Sequence, residues 1–343
     1  MQTTLQPAHI NALSLQAVSL EQRTILSLIE EFLRAKKSTE TKKAYKKDLK
    51  VFFWATKLIT AWDLIQYPIH QLSDAIIQHT ESFKKTEQYR EDRVLNPRTV
   101  NRKAYAISSF FEFLVATYGY PRNPAKVFTP YATPTRTSTD ALDADELWAV
   151  RDYAQSLPTS AKTLYQRRSA FQKMLIIALL MLSLRRNEAA NCRRDDIDRD
   201  KNVLTVFGKW QKYKYIPLPS KIVHYLQEFK RMKHSFWLSS EYIFSPLRNN
   251  STSNFDKPLS WTSIFQIVKE IAHHLQLEWR IDITKTITPH SFRTTFVKLS
   301  LEKECTDIEI MNATGHATAQ MVKYYDARSQ IEVNAARGME DVF

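Results

Sequence analysis

Glycine is almost missing from this chain. Only four occur in 343 residues, Gly119, Gly208, Gly315 and Gly338. Those positions permit neither G-x-G-x-x-G nor G-x-x-x-x-G-K-[ST], so phosphate cradles built on glycine backbone are excluded. Cysteine is scarcer still: Cys192 and Cys305 make no disulfide framework and no zinc knuckle. Long apolar runs are also lacking. The longest, Met174 to Leu182, has nine residues, whereas a bilayer needs about 20. Met1-Gln2-Thr3-Thr4 has neither the basic start nor the apolar stretch of a signal peptide. These absences predict a cytoplasmic protein in a reducing compartment, with no membrane partner.

Acidic residues are the scarcer charged class. Thirty-six Asp and Glu face 49 Lys and Arg, for a net charge of +13. Both halves of the chain are basic, so the expected partner is polyanionic along its length, and a nucleic acid fits best. Aromatics at 12% and hydrophobic residues at 43% exclude a disordered chain. The length suits roughly two domains.

Residues 1–19 are polar and unpatterned, which predicts a flexible arm. Residues 20–120 read as a small bundle of about four helices. The first carries Ile25, Leu28, Ile29, Phe32 and Leu33 at helical spacing. The second, capped by Ser38 or Thr39, puts Tyr45, Leu49, Phe52 and Phe53 on one face. Its other face holds Lys42, Lys43, Lys46, Lys47 and Lys50, of which Lys43, Lys46 and Lys47 are candidates for DNA phosphates. A third helix is expected over 72–88. The fourth starts with Asn96 as cap and Pro97 in its first turn, with Arg98 and Arg102 as further DNA-binding candidates. Residues 121–139 have the Pro, Ser and Thr composition of a linker. Residues 140–343 form the second domain. There the pattern predicts a helix over 143–157, one long buried helix over 171–190, and a hairpin of strands 203–207 and 213–218. Further helices are expected over 220–232, 261–275, 291–304 and 307–314. The fold class is mainly α with a small antiparallel sheet.

Metal chemistry finds no footing. Asp196, Asp198 and Asp200 imitate the start of a calcium loop, but Lys201 replaces its glycine and Phe207 its final glutamate. His273 and His274 are adjacent rather than on one helix face. What stands out is a basic set ending in tyrosine: Arg185 with Glu188, Lys209 after Gly208, His290-Ser291-Phe292-Arg293, Gly315-His316, and Tyr324-Tyr325.

In order and spacing this set resembles the tyrosine recombinases, or phage integrases. The resemblance covers roughly 140–330 and extends more weakly to Thr41, Tyr45, Asp48, Leu49 and Phe52. It identifies Arg185, with Glu188 three residues on, as the first arginine, and Lys209 as the hairpin lysine. His290 and Arg293 form the H-x-x-R box. His316 is the later histidine, and Tyr325, nine residues beyond, the nucleophile. Three positions depart from the family pattern. Ser183 stands where glycine is frequent, Arg186 where an apolar residue is frequent, and Trp210 where glycine is frequent. The resemblance implies a helical core-binding domain and a catalytic domain closing as a C-shaped clamp on double-stranded DNA at a specific recombination site. It further implies a homo-tetramer on two duplexes and a nucleoid-associated location, with accessory proteins as a further partner class.

The residue types suit such chemistry. A phenol attacks phosphorus, and the phosphorane-like transition state gathers negative charge on its non-bridging oxygens. Arg185 and Arg293, always charged and planar, are suited to clamp it. Lys209 would protonate the 5′-oxygen that leaves. His290 would accept the tyrosine proton or touch phosphate, His316 would donate to a non-bridging oxygen, and Glu188 would orient His290 or Arg185. Such a site needs no metal and no cofactor. Two alternatives share the residues: a type IB topoisomerase-like nicking-closing enzyme, and a catalytically silent DNA-binding clamp.

Overall fold

The computed structural model describes residues 22–81, 96–133, 139–208, 213–235, 240–246 and 257–323. The arm at 1–19, Lys209 and Tyr325 with the tail behind it lie outside the described residues. The chain divides into two compact units, Met1–Pro134 and Thr135–Phe343.

In the first unit the described helices are Ile25–Arg34, Thr39–Thr56, Ala61–Gln66, Ile69–Glu81 and Pro97–Tyr118. Local chemistry sets their starts. The Ser38 hydroxyl accepts the Thr41 N–H and the Asn96 side chain accepts the Arg98 N–H, satisfying donors that a helix N-terminus leaves unpaired. Pro97 follows in the first turn. Gly119 closes that helix at φ 68°, a left-handed stop that glycine adopts without steric penalty. The apolar faces meet in an aromatic core, where Phe110 packs edge-on against Phe32 at 5.6 Å and Phe53 at 5.4 Å. The six-residue helix Ala61–Gln66 was not expected from the sequence. It is too short for a period, and it is held by a reciprocal cap between Thr60 and Asp63.

The stretch with linker composition is partly built into this unit. Pro124–Val127 forms a 3-10 turn with Pro124 and Ala125 buried. The Ser73 hydroxyl donates to the Pro124 carbonyl at 3.0 Å, and Asn101 exchanges two hydrogen bonds with the Tyr131 backbone. Prolines here mark a surface turn rather than a free tether.

The second unit is helical around a three-stranded antiparallel sheet in the order β1 (Ile197–Asp198), β2 (Val203–Phe207), β3 (Tyr213–Pro217). β2 and β3 pair from Val203 opposite Pro217 to Phe207 opposite Tyr213. The core is centred on the helix Leu164–Met181, which buries Leu175, Ile176, Leu179 and Leu180. The single long helix expected over 171–190 is instead two. Leu164–Met181 ends, and Arg186–Ala190 starts afresh. The break is at Ser183, at φ 69°. Its N–H reaches the Leu180 carbonyl and the Leu184 N–H reaches that of Leu179, the closure typical of a left-handed helix stop. Apolar continuity across Met181, Leu182 and Leu184 hid this break from a periodicity argument.

The remaining described helices are Ala144–Ser160, Ser220–Ser235, Trp261–Leu277, Pro289–Glu302, Asp307–Thr314 and Ala319–Lys323. Asp307–Thr314 packs beside β3. No described helix is long and apolar enough to cross a membrane.

Candidate active site

The broken helix places Arg185 immediately ahead of Arg186–Ala190, in the cap position of the new helix. Glu188 closes the turn. Its Oε2 accepts the Arg185 backbone N–H at 2.8 Å and its Oε1 accepts from Arg185 Nη1 at 2.7 Å. The guanidinium also donates to the carbonyls of Thr314 at 3.3 Å and Gly315 at 3.4 Å. Arg186, on the rim of the same cleft, is exposed and lies 4.6 Å over the ring of Trp261. Of the two adjacent arginines, Arg185 is therefore the one held among the other candidates.

Arg293 comes from the second turn of Pro289–Glu302 and is 1% exposed. Its Nη1 donates to the Ser183 carbonyl at 3.0 Å and its Nη2 to the Thr314 carbonyl at 2.6 Å. The Thr314 oxygen thus accepts from both arginines. It is available because the helix Asp307–Thr314 ends there, leaving its last carbonyls without partners within the helix. Gly315 makes that ending at φ 67°, and the chain turns to place His316 beside the pair.

His316 is buried, with Nδ1 3.1 Å from the Thr314 hydroxyl. That hydroxyl has one proton and lies 2.6 Å from the Ile310 carbonyl, which can only accept. The network therefore assigns the Nδ1 proton to His316, directed at Thr314, and leaves Nε2 the acceptor nitrogen of a neutral ring. Burial, followed by the charges of Arg293 and Arg185, pushes its pKa down to about 3. This amends the donor role expected from the sequence, because neutral His316 can donate from Nε2 only after taking a second proton.

His290 opens Pro289–Glu302 under the Thr288 cap. Desolvation in the cleft, with Arg293, Arg185 and Arg186 nearby, holds its imidazole below the ordinary histidine range, so it too favours the neutral, proton-accepting form. Arg185, Glu188, His290 and Arg293 line one cleft of about 990 Å³, together with Phe207 and Gly208 of the hairpin. Gly208 directly precedes Lys209.

Sequence reasoning missed Lys214. Strand alternation turns Tyr213 and Tyr215 outward and Lys214 and Ile216 inward. Its ammonium, 5% exposed, lies 2.7 Å from Glu188 Oε2. Burial and the neighbouring arginines lower its pKa, against the pull of Glu188. For Glu188 the balance is reversed. Burial alone would raise its pKa, but Lys214 and Arg185 outweigh it and hold the carboxyl below its usual range. The signal was present, since a lysine in phase with Ile216 on a half-buried strand needs a buried partner.

The basic candidates of the first unit have partners of their own. Lys46 meets Glu30 at 2.5 Å and Lys43 meets Glu40 at 3.2 Å. Arg102 pairs with the buried carboxylate of Asp48. Lys47 and Arg98 are exposed. Among the described residues, no cluster of three or more His, Cys, Asp or Glu could hold a metal ion.

A mainly helical unit whose arginine pair, histidines and short hairpin meet in this way has counterparts among known proteins. A family model described as the phage integrase family matches residues 142–331. The chain belongs to that family, the tyrosine recombinases, which are enzymes of DNA recombination. A protein named tyrosine recombinase from Agathobacter rectalis is 26% identical over 311 residues, covering 89% of this chain and 91% of the relative. Two solved structures share the fold. The Tn1549 transposon integrase in complex with transposon right end DNA gives a TM-score of 0.62 at 14% identity, covering 93% of this chain and 99% of the other. A lambda integrase dimer bound to a COC′ core site gives 0.60 at 15% identity, covering 95% and 83%.

Proposed function

We propose that this chain is a site-specific recombinase that cleaves and rejoins double-stranded DNA through a 3′-phosphotyrosyl intermediate, in the integration, excision or resolution of a mobile element or plasmid. The observation that carries the reading is the convergence of Arg185 and Arg293 on the Thr314 carbonyl, with His290 and His316 beside them. Two guanidiniums fixed before substrate arrives provide charge where a phosphorane develops it, without reorganisation during the reaction.

In this reading the Tyr325 oxygen attacks the scissile phosphorus, and its proton passes to His290, which is kept neutral by its surroundings. The bond to the 5′-oxygen breaks, and Lys209 supplies the proton that oxygen needs. Arg185 and Arg293 hold the non-bridging oxygens. Once phosphate charge offsets the arginines, His316 takes a second proton from solvent and then donates from Nε2. The products are a phosphotyrosyl ester and a free 5′-hydroxyl. A 5′-hydroxyl from a second duplex reverses the attack and completes strand exchange without another energy source. Residues 20–120 act as the core-binding domain and 140–343 as the catalytic domain. Four protomers act on two duplexes, with accessory proteins as a further class of partner.

A nicked suicide duplex tests the reading. The 5′ fragment diffuses away after cleavage, and a covalent protein–DNA adduct should accumulate. A chain that binds the duplex but never forms the adduct is a silent DNA-binding protein. A two-site assay then separates strand exchange from religation of the original ends, the outcome a topoisomerase-like enzyme would give.

A further inference from the structure

We propose that Lys214 is a positioning residue for Arg185, acting through Glu188; this rests on the recombinase reading above. The inward side of a β-strand is a costly place for a cation, because removing an ammonium from water is repaid only by a well-placed counter-charge. Lys214 occupies such a place at 5% side-chain exposure, and Glu188, at 6%, supplies the counter-charge 2.7 Å away. Both carboxylate oxygens are engaged. Oε1 receives the Arg185 guanidinium, while Oε2 receives both the Arg185 backbone N–H and Lys214.

Arg185 and Glu188 already make a neutral pair three residues apart, so a second buried cation is surplus to charge balance. Its effect is geometric. Lys214 holds Oε2 while the guanidinium holds Oε1, so the Glu188 rotamer, and with it the Arg185 plane, is fixed at both oxygens. Gly315 brings the two cations together in a second way. A Cβ at that position would touch Lys214 Cδ at 3.6 Å and Arg185 Nη1 at 3.7 Å, so the lysine stem and the guanidinium lie side by side beneath the glycine. Lys214 is not the proton donor to the leaving oxygen. A general acid must come within hydrogen-bond reach of the reacting atom, and this ammonium is buried against Glu188, in a side chain that does not line the cleft.

The test uses the full chain and suicide duplexes. Lys214→Met keeps the stem and removes the charge. DNA affinity and its salt dependence should remain within about twofold of the parent, while the cleavage rate at saturating DNA falls about 10–100-fold, the scale on which a misplaced group is felt. Lys214→Arg should recover cleavage to within about fivefold. In a Glu188→Gln background, Lys214→Met should cost less than about threefold more, because the path to Arg185 is already cut. A duplex with sulfur at the bridging 5′ position needs no proton donor, and it should not rescue Lys214→Met.

Parental cleavage by the Met variant overturns the proposal. Rescue by the thio-duplex also overturns it, since the lysine would then serve proton donation. If the Met variant fails to fold, Lys214→Arg decides: a folded Arg variant a hundredfold slower than the parent overturns the assignment. The parent is run alongside, and its failure to form an adduct sinks the recombinase reading itself, a different result from an undiminished variant.

Discussion

Ser183 holds Arg293 by its main chain: the carbonyl of a fully buried serine in left-handed conformation accepts the Arg293 Nη1 proton at 3.0 Å. The serine hydroxyl donates to the Ala313 carbonyl at 2.9 Å. A position where glycine would sit without strain is thus occupied by a residue that offsets its backbone cost with a buried hydrogen bond.

That relationship sets the first expectation. Ser183→Ala keeps the strained backbone and loses the bond, and should lower unfolding free energy by about 1–2 kcal/mol. Ser183→Gly loses the bond but relieves the backbone, and should stay within about 1 kcal/mol of the parent. Urea denaturation of the three chains checks the order; an Ala variant as stable as the parent would remove the hydroxyl from the account.

The histidines set a pH dependence. His316 titrates near 3 in the folded chain, against an ordinary value of about 6.5. The native state therefore binds fewer protons than the unfolded state in that window. Stability is complete above about pH 6.5 and falls as pH drops towards 3; the lowered pKa of His290 acts in the same direction. Thermal melts between pH 7 and 4 should show this decline. His316→Gln should make it shallower, and an unchanged slope would place the acid sensitivity elsewhere.

The nucleophile and the proton donor can be separated chemically. Tyr325→Phe should bind DNA and form no adduct, while Tyr324→Phe retains cleavage. Lys209→Ala should slow cleavage of ordinary DNA by about 10²–10⁴. A 5′-bridging thio-duplex should largely restore it, but should not restore Arg185→Ala or Arg293→Ala, whose work is on the non-bridging oxygens. Rescue of the arginine variants alone would move the donor role to another group, His316 first.

Cleavage should continue in excess EDTA. Loss of adduct under chelation, restored by magnesium, would contradict charge stabilisation by arginine alone.

In the first unit, Lys43, Lys46 and Lys47 together should contribute to the salt dependence of binding, about 0.9 per phosphate neutralised. Their triple replacement by Ala should flatten the slope and leave adduct chemistry intact. Arg102→Ala has a second effect, because it strands the buried Asp48 carboxylate and should lower stability by about 1–3 kcal/mol. An unchanged slope in the triple variant would leave Lys46 and Lys43 as partners of Glu30 and Glu40 only.

Much of this architecture could be read from residues whose local chemistry is self-sufficient. Ser38 and Asn96 cap helices where the sequence places caps, because a capping bond involves only neighbours. The hairpin strand 203–207 was readable from alternation, and the helix 307–314 from its helical pattern. What escaped depended on distant partners. Nothing near Ser183 announces a left-handed residue; its stabilising contacts come from Ala313 and Arg293, over a hundred residues away. Lys214 looked like one more surface lysine until Glu188 was folded beside it. The proline-rich run after Gly119 has the composition of a tether, and only Ser73 and Asn101 reveal it as part of the first unit's surface.

The shared Thr314 carbonyl has a consequence for how the enzyme comes into being. Arg185 and Arg293 are both translated before the oxygen that aligns them, and Arg185 leaves the ribosome well over a hundred residues ahead of it. A backbone oxygen is also something no side-chain substitution removes. A nascent or truncated chain that ends between residues 293 and 314 therefore carries both guanidiniums without the oxygen they share. Such a chain also lacks Tyr325, so in the recombinase reading the phosphate clamp and its nucleophile are completed together, by the last part of the chain to be made.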